Sequence, residues 1–137
     1  MSKRVMLVED EPNIIEAVRF ILSRDGWDVS VHSDGASAVE AVTRAAPDVV
    51  ILDAMLPGKT GYDILRDLRA AEGTADLPVL MLTAKGQPKD RALAESLGAS
   101  AFMTKPFSNA AVIECLRGLG GAGEAAEQTP QSAGLND

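Results

Sequence analysis

One cysteine and one histidine in 137 residues leave this chain little soft-ligand chemistry. Cys115 has no partner for an internal disulfide and suits a reducing compartment. Cys115 and His32 together fall short of the three or four side chains a zinc site takes. Long apolar runs are missing too: none approaches the ~20 residues needed to cross a bilayer. Met1-Ser2-Lys3-Arg4 is basic, but the apolar run from Val5 to Val8 is too short for the core of a secretory signal. A cytoplasmic protein with no membrane contact is expected. Positive charge is the third shortage. Thirteen Lys and Arg face twenty Asp and Glu, for a net charge of −7. No basic patch of the kind that follows a nucleic acid is visible, and no DNA-binding segment, so no nucleic-acid partner is expected.

What is present is ordinary globular material, 46% hydrophobic and 24% charged, in a length that suits one domain. Short apolar runs alternate with segments of helical period. Val5 to Val8 reads as a buried strand ending at Glu9 and Asp10. Pro12 suits a first helical turn, and Ile14, Ile15, Val18, Ile21 and Leu22 recur at helical spacing up to Gly26. Trp27 to His32 reads as a second strand, and Asp34 as the N-cap of a helix carrying Ala38, Val39 and Val42 that Pro47 ends. Val49 to Leu52 is a continuous β-branched run, as in a parallel strand covered on both faces, and it delivers Asp53. A turn at Pro57-Gly58 leads to a third helix. Val79 to Leu82 ends at Thr83, a helix from about Pro88 to Leu97 closes at Gly98, and Ala101 to Thr104 is a shorter strand. Ser108 caps a last helix.

Five strand–helix units imply an α/β fold, a doubly wound parallel sheet with right-handed crossovers and helices on both faces. After Arg117 the composition turns to Gly, Ala, Gln and Ser. Residues 1–119 are expected to form the domain and residues 120–137 a flexible, disordered tail. Residues 118–137 hold Glu124, Glu127 and Asp137 but no Lys or Arg, which leaves −4 on residues 1–117.

In parallel α/β sheets, sites form at the carboxyl ends of strands. Here those ends carry Glu9-Asp10, Asp53, Thr83 and Lys105. Three carboxylates together repel one another and call for a cation, and hard oxygen ligands suit Mg²⁺. With Lys105 and Thr83 near, the set suits a phosphoryl group: cations neutralise its oxygens and a hydroxyl donates to one of them. Asp53 can be the nucleophile, since aspartyl phosphates are known covalent intermediates. Each residue alone has a plainer reading. Glu9-Asp10 could be a solvated helix start, Asp53 a turn residue, Thr83 structural, Lys105-Pro106 a surface turn.

Val8-Glu9-Asp10-Glu11-Pro12, Ile51-Leu52-Asp53 with Pro57-Gly58 and Gly61, Leu82-Thr83-Ala84 and Thr104-Lys105-Pro106-Phe107 occur in this order, each at a strand end. In these pieces the chain, from residue 3 to about 118, resembles the bacterial receiver domain of two-component response regulators, in the manner of a free-standing chemotaxis regulator. The resemblance implies a flavodoxin-like (βα)5 fold with strand order 2-1-3-4-5. It implies a switch rather than an enzyme, one that assists its own Mg²⁺-dependent phosphorylation and dephosphorylation. Asp53 would accept the phosphoryl group from a sensor histidine kinase or phosphotransfer protein. Asp10, Asp53 and the Met55 backbone carbonyl would bind Mg²⁺ directly, and Glu9 mostly through water. Thr83 would hold a phosphoryl oxygen and Lys105 would pair with the phosphate, aimed by a cis bond to Pro106. Phe102 would swing inward when Thr83 moves, and a downstream effector protein would read the face formed by the fourth helix, fifth strand and fifth helix.

Three departures from the family stand out. Phe102 replaces a common Tyr and has no hydroxyl to donate, so facing outward it would present only apolar surface. Met55 and Lys85, two residues beyond Asp53 and Thr83, are bulky where the attacking water would pass, so a long phosphoryl lifetime is expected. Ser100-Ala101 and Cys115 occupy positions where the transcription-factor branch carries the charges that pair an activated dimer, so a monomer or weak dimer is expected. Two other classes stay open beside the switch. An FMN protein or aspartate-based phosphatase of similar topology fits poorly, because Glu9-Asp10-Glu11 would repel a phosphate and Asp53 follows the third strand rather than the first. A phosphate-independent interaction module has no need of the full acid, threonine and lysine set.

Overall fold

The computed structural model describes residues 3–120. The expected tail lies, from Gly121 on, outside the described residues. Five strands and five α-helices alternate: β1 (Lys3–Val8), α1 (Pro12–Arg24), β2 (Trp27–His32), α2 (Ala38–Ala45), β3 (Val49–Asp53), α3 (Gly61–Ala70), β4 (Val79–Thr83), α4 (Pro88–Ser96), β5 (Ala101–Thr104) and α5 (Asn109–Gly120). The strands form one parallel sheet in the order β2-β1-β3-β4-β5, the expected doubly wound arrangement.

The sheet is covered on both faces, and strand alternation decides which residue meets which helices. Val5 and Leu7 of β1, Val49 and Ile51 of β3, and Leu80 and Leu82 of β4 pack with Val18, Ile21 and Leu22 of α1 and Val112 and Leu116 of α5. The residues between them, Met6, Val8, Val50, Leu52, Val79 and Met81, pack with α2, α3 and α4 through Val42, Ile64, Leu65, Leu68 and Ala94. Every residue of β3 and β4 is buried, which is why those segments read as unbroken apolar runs rather than alternating ones. Two such faces hold the strand ends at fixed heights, and those heights place the site.

Local signals account for most helix boundaries. Pro12 and Pro88 stand in the first turns of α1 and α4, where a missing N–H costs nothing. The Ser108 hydroxyl accepts from the Ala111 N–H, capping α5 as expected. Helix α2 differs from expectation: it begins after Ser37, and Asp34 instead caps the preceding turn, its carboxylate accepting from the N–H and hydroxyl of Ser37. At the other end of α2, Ala46 adopts a left-handed conformation (φ 49°) before Pro47, a residue that disfavours the helical region for its predecessor. The Arg4 guanidinium donates to the carbonyls of Ala45 and Ala46, a cation on a helix C-terminus. A short 3₁₀ turn, Glu72–Thr74, was not foreshadowed by any period; the buried Thr74 hydroxyl anchors it by donating to the Leu68 carbonyl at 2.6 Å. Among the described residues no helix is long and apolar enough to cross a membrane.

Candidate functional site

The carboxyl edge of the sheet gathers the acidic residues. Val8 is level with Leu52, and Asp53 with Leu82. Glu9, one step past Val8, is therefore level with Asp53, on the face that also buries Leu7 and Ile51. One ligand oxygen each from Glu9, Asp10 and Asp53 lies within 4.8 Å of the others. Asp10 is exposed, Asp53 is buried, and Glu9 is buried completely. Gly61, the first residue of α3, backs the site. A Cβ there would stand 2.2 Å from the Asp53 carbonyl oxygen, so only glycine lets α3 start this close to Asp53.

Lys105 reaches this cluster from the end of β5. Its N–H donates to the Thr83 carbonyl, and its bond to Pro106 is cis. The ammonium lies 3.4 Å from Asp53 Oδ1, 3.2 Å from Glu9 Oε1 and 3.2 Å from Glu11 Oε1. Burial works against charge on Lys105, but the charges of Asp53 and Glu9 outweigh it and hold its pKa above the usual lysine value. Glu9 moves the other way. Burial, then repulsion from Asp53, lifts its carboxyl to about 7. Glu9 Oε2 accepts from the Glu11 N–H, while Oε1 sits beside the ammonium without a hydrogen bond aligned to it. A fully buried carboxylate oxygen with no donor, next to two further carboxylates, is what a hard divalent cation would satisfy. The residues present fit Mg²⁺.

Asp10, Glu11, Asp53, Met55, Ala84 and Lys105 line an open cleft of about 320 Å³. The Met55 N–H donates to Asp53 Oδ1 at 3.2 Å, and its side chain stays exposed at the rim. Thr83 does not line this cleft. It is buried, its side chain follows Val79 and Met81 onto the opposite face, and its hydroxyl accepts from the Lys85 N–H at 3.0 Å. Its own O–H remains available to donate. Lys85 is exposed and outside the lining of the cleft, so only Met55 of the two expected shields stands at its rim. Phe102 shares the face of Thr83; its ring is buried in the α2–α4 core with the Arg91 guanidinium 5.0 Å above its centroid.

The chain matches the response regulator receiver domain family over residues 5–117. The chain belongs to that family. It is 44% identical over 115 residues to a probable transcriptional regulatory protein, TcrX, of Mycobacterium tuberculosis, a match that takes in 84% of this chain. It spans 48% of that relative, about half its length. Among solved structures, the receiver domain of a sensor histidine kinase from Pseudomonas aeruginosa, with magnesium coordinated in its active-site cleft, is 30% identical with a TM-score of 0.81, over 88% of this chain and 99% of that one. The beryllofluoride-activated N-terminal receiver domain of Klebsiella pneumoniae RstA is 32% identical with a TM-score of 0.80, over 86% and 98%.

Two residues in contact with the expected site residues were not singled out from sequence: Glu11, which pairs with Lys105, and Arg91, which covers Phe102. Glu11 had one signal, a third acid directly after Glu9-Asp10; Arg91 had none. Other singled-out residues turn out structural. His32 donates to Ser37, which donates to Asp34. Burial raises the Cys115 thiol to about 11, away from the reactive thiolate.

Proposed function

We propose that this receiver, residues 1–119, accepts a phosphoryl group on Asp53 and passes the change to a partner protein through the α4–β5–α5 face. The observation that carries this is the Asp53 carboxylate itself. It is buried at a strand end, held by the Met55 N–H, and stands beside Lys105 and within ligand distance of Glu9 and Asp10. Asp10, Asp53 and the Met55 carbonyl would hold Mg²⁺, with Glu9 assisting through water, and the ion would supply neutralising charge for the phosphoryl oxygens. The chain's own residues do the rest. An Asp53 oxygen attacks phosphorus as the bond from phosphorus to the donor's imidazole nitrogen breaks and the imidazole keeps the electron pair; the ammonium of Lys105 faces the charge that accumulates, and the Thr83 O–H donates to a phosphoryl oxygen. Drawing Thr83 toward the phosphate changes the packing around Phe102 on its own face, a population shift of the switch. The donor is a histidine kinase or phosphotransfer protein. The setting is the cytoplasm, with no nucleic acid bound by these residues, as a monomer or weak dimer.

Incubation with Mg²⁺ and acetyl phosphate, followed by intact-mass measurement, tests the reading. One phosphoryl group is expected on the wild type, and none with EDTA or in Asp53→Asn. A wild type that gains no mass would overturn the reading in favour of a phosphate-independent module.

A further inference from the structure

Among the described residues Lys105 is the one cation lining the cleft, and three carboxylates share it. They differ in freedom. The side chains of Glu9 and Asp53 are 0% and 5% exposed, whereas that of Glu11 is 61% exposed. Glu11 is the N-cap residue of α1, yet its side chain makes no capping hydrogen bond. Its backbone serves the helix, through the Ile15 N–H, and Glu9, through its own N–H. Its carboxylate serves Lys105 alone, at 3.2 Å. An exposed carboxylate joins or leaves an ammonium at little desolvation cost; a buried one does not.

We propose that Glu11 is a positioning residue that holds the Lys105 ammonium in the unphosphorylated protein and competes for it with the incoming phosphoryl group. This rests on Asp53 being the phosphoacceptor. When the Asp53 oxygen forms its bond to phosphorus, the phosphorus–oxygen bond to the leaving acetate breaks and acetate carries off the electron pair. Negative charge then concentrates on the phosphoryl oxygens within reach of Lys105, and Glu11 gives up its contact. Glu11 thereby slows phosphorylation and weakens binding of the phosphoryl group.

The test compares wild type with Glu11→Gln, Glu11→Asp and, as a control on the same helix, Glu16→Gln. Each is phosphorylated with acetyl phosphate and Mg²⁺ at low and high salt and followed by intact mass. Beryllofluoride affinity and Mg²⁺ affinity are measured calorimetrically. Glu11→Gln is expected to phosphorylate and to bind beryllofluoride about two- to fivefold better, the range of one exposed ion pair. Glu11→Asp, a methylene too short for Lys105, should gain as well, and Glu16→Gln should not. The gain should shrink at ~1 M salt, where the Debye length is about 3 Å. Unchanged or slower phosphorylation of Glu11→Gln overturns the proposal. So does a gain in Glu11→Gln that Glu16→Gln matches or Glu11→Asp lacks, which would mean a general field. A tenfold loss of Mg²⁺ affinity in Glu11→Gln overturns it by making Glu11 part of the metal site. No mass gain in any variant overturns the phosphoacceptor reading itself.

Discussion

On the α1/α5 side of the sheet, the alternation that packs Leu7, Ile51 and Met103 against the helices continues at the strand ends into Glu9, Asp53 and Lys105. On the α2–α4 side, the alternation through Val79, Met81 and Phe102 continues into Thr83 and its cross-strand partner Thr104. The acids and the ammonium thus belong to one face, and the hydroxyl and the aromatic to the other. The period of two makes this division rigid: a slip of one residue in β4 would exchange Thr83 for Leu82 at the site edge. The difference teaches how strand alternation alone can keep the charged groups of a small domain apart from its hydroxyl and aromatic groups. Charge is collected where it can be compensated. In the proposed mechanism, Thr83 reaches toward that charge from the other face, where Phe102 packs.

The largest effect expected of breaking this division is on the charged side. Lys105→Met removes the cation shared by three carboxylates, two of them buried. Leaving a buried charge without its partner costs about 3 kcal/mol or more. Urea unfolding at pH 8 with EDTA should show that loss, and saturating Mg²⁺ should restore part of it. Thr83→Ala, on the other face, should cost under about 1.5 kcal/mol, the worth of one hydrogen bond. Equal losses in the two variants would erase the division.

Glu9→Gln should act in the opposite direction. Burial and Asp53 lift the Glu9 carboxyl from 4.5 to about 7 in the folded protein. The folded state therefore binds this proton more tightly than the unfolded state. The stability it contributes is whole below pH 4.5 and is lost as pH rises through 7. Gln mimics the protonated form, so the variant should match wild type near pH 4 and be more stable by about 1–3 kcal/mol at pH 8 without metal. A stabilisation that does not grow with pH would show that Glu9 is not held uncharged.

Met55→Asn probes the rim. The Met55 side chain stands at the mouth of the cleft, 56% exposed, and Lys85 does not line it. The slow hydrolysis expected from the sequence therefore rests on Met55. A decay of phosphorylated protein several-fold faster in Met55→Asn than in wild type, followed by intact mass after removal of the donor, is the expected result, within the roughly tenfold that 1.4 kcal/mol of barrier represents. An unchanged wild-type half-life of seconds would remove Met55 as a shield.

Much of this was legible in the sequence, because apolar runs and their ends are local signals. Val49 to Leu52 announced a doubly covered strand and handed Asp53 to the edge, and the acids, Thr83 and Lys105 all stand at strand ends. Even the burial of Glu9 is implicit in its parity with Val5 and Leu7. Contacts between side chains far apart in sequence leave no local period, and these were not legible. Glu11 meets Lys105 across 94 positions and Arg4 meets Ala45 across 41. Ser100, noted only for the dimer charge it lacks, also has a contact across 21 positions: its hydroxyl accepts from the Val79 N–H. Asp34 was misplaced as a helix cap because a side chain that caps a turn and one that caps a helix look alike in sequence.

Arg91 offers the smallest and most discriminating test, because it lies over Phe102 and outside the lining of the cleft. Its guanidinium lies 5.0 Å from the Phe102 centroid and 3.9 Å from the Glu95 carboxylate, and both charged side chains are more than half exposed. A cation over an aromatic face at such a site is worth about 0.5–1 kcal/mol. Phe102 has no hydroxyl, so the guanidinium is the polar partner of its ring. Arg91→Ala should destabilise the protein by no more than that amount and leave the rate of phosphorylation of Asp53 unchanged. It should nevertheless shift the balance between ring positions of Phe102 by about two- to fivefold, the population equivalent of the same energy. Fluorine NMR of protein labelled with fluorophenylalanine, with and without beryllofluoride, reads that balance directly. A changed phosphorylation rate with unmoved Phe102 populations would mean that the two faces are not separable, and that Arg91 belongs to the chemistry rather than the readout.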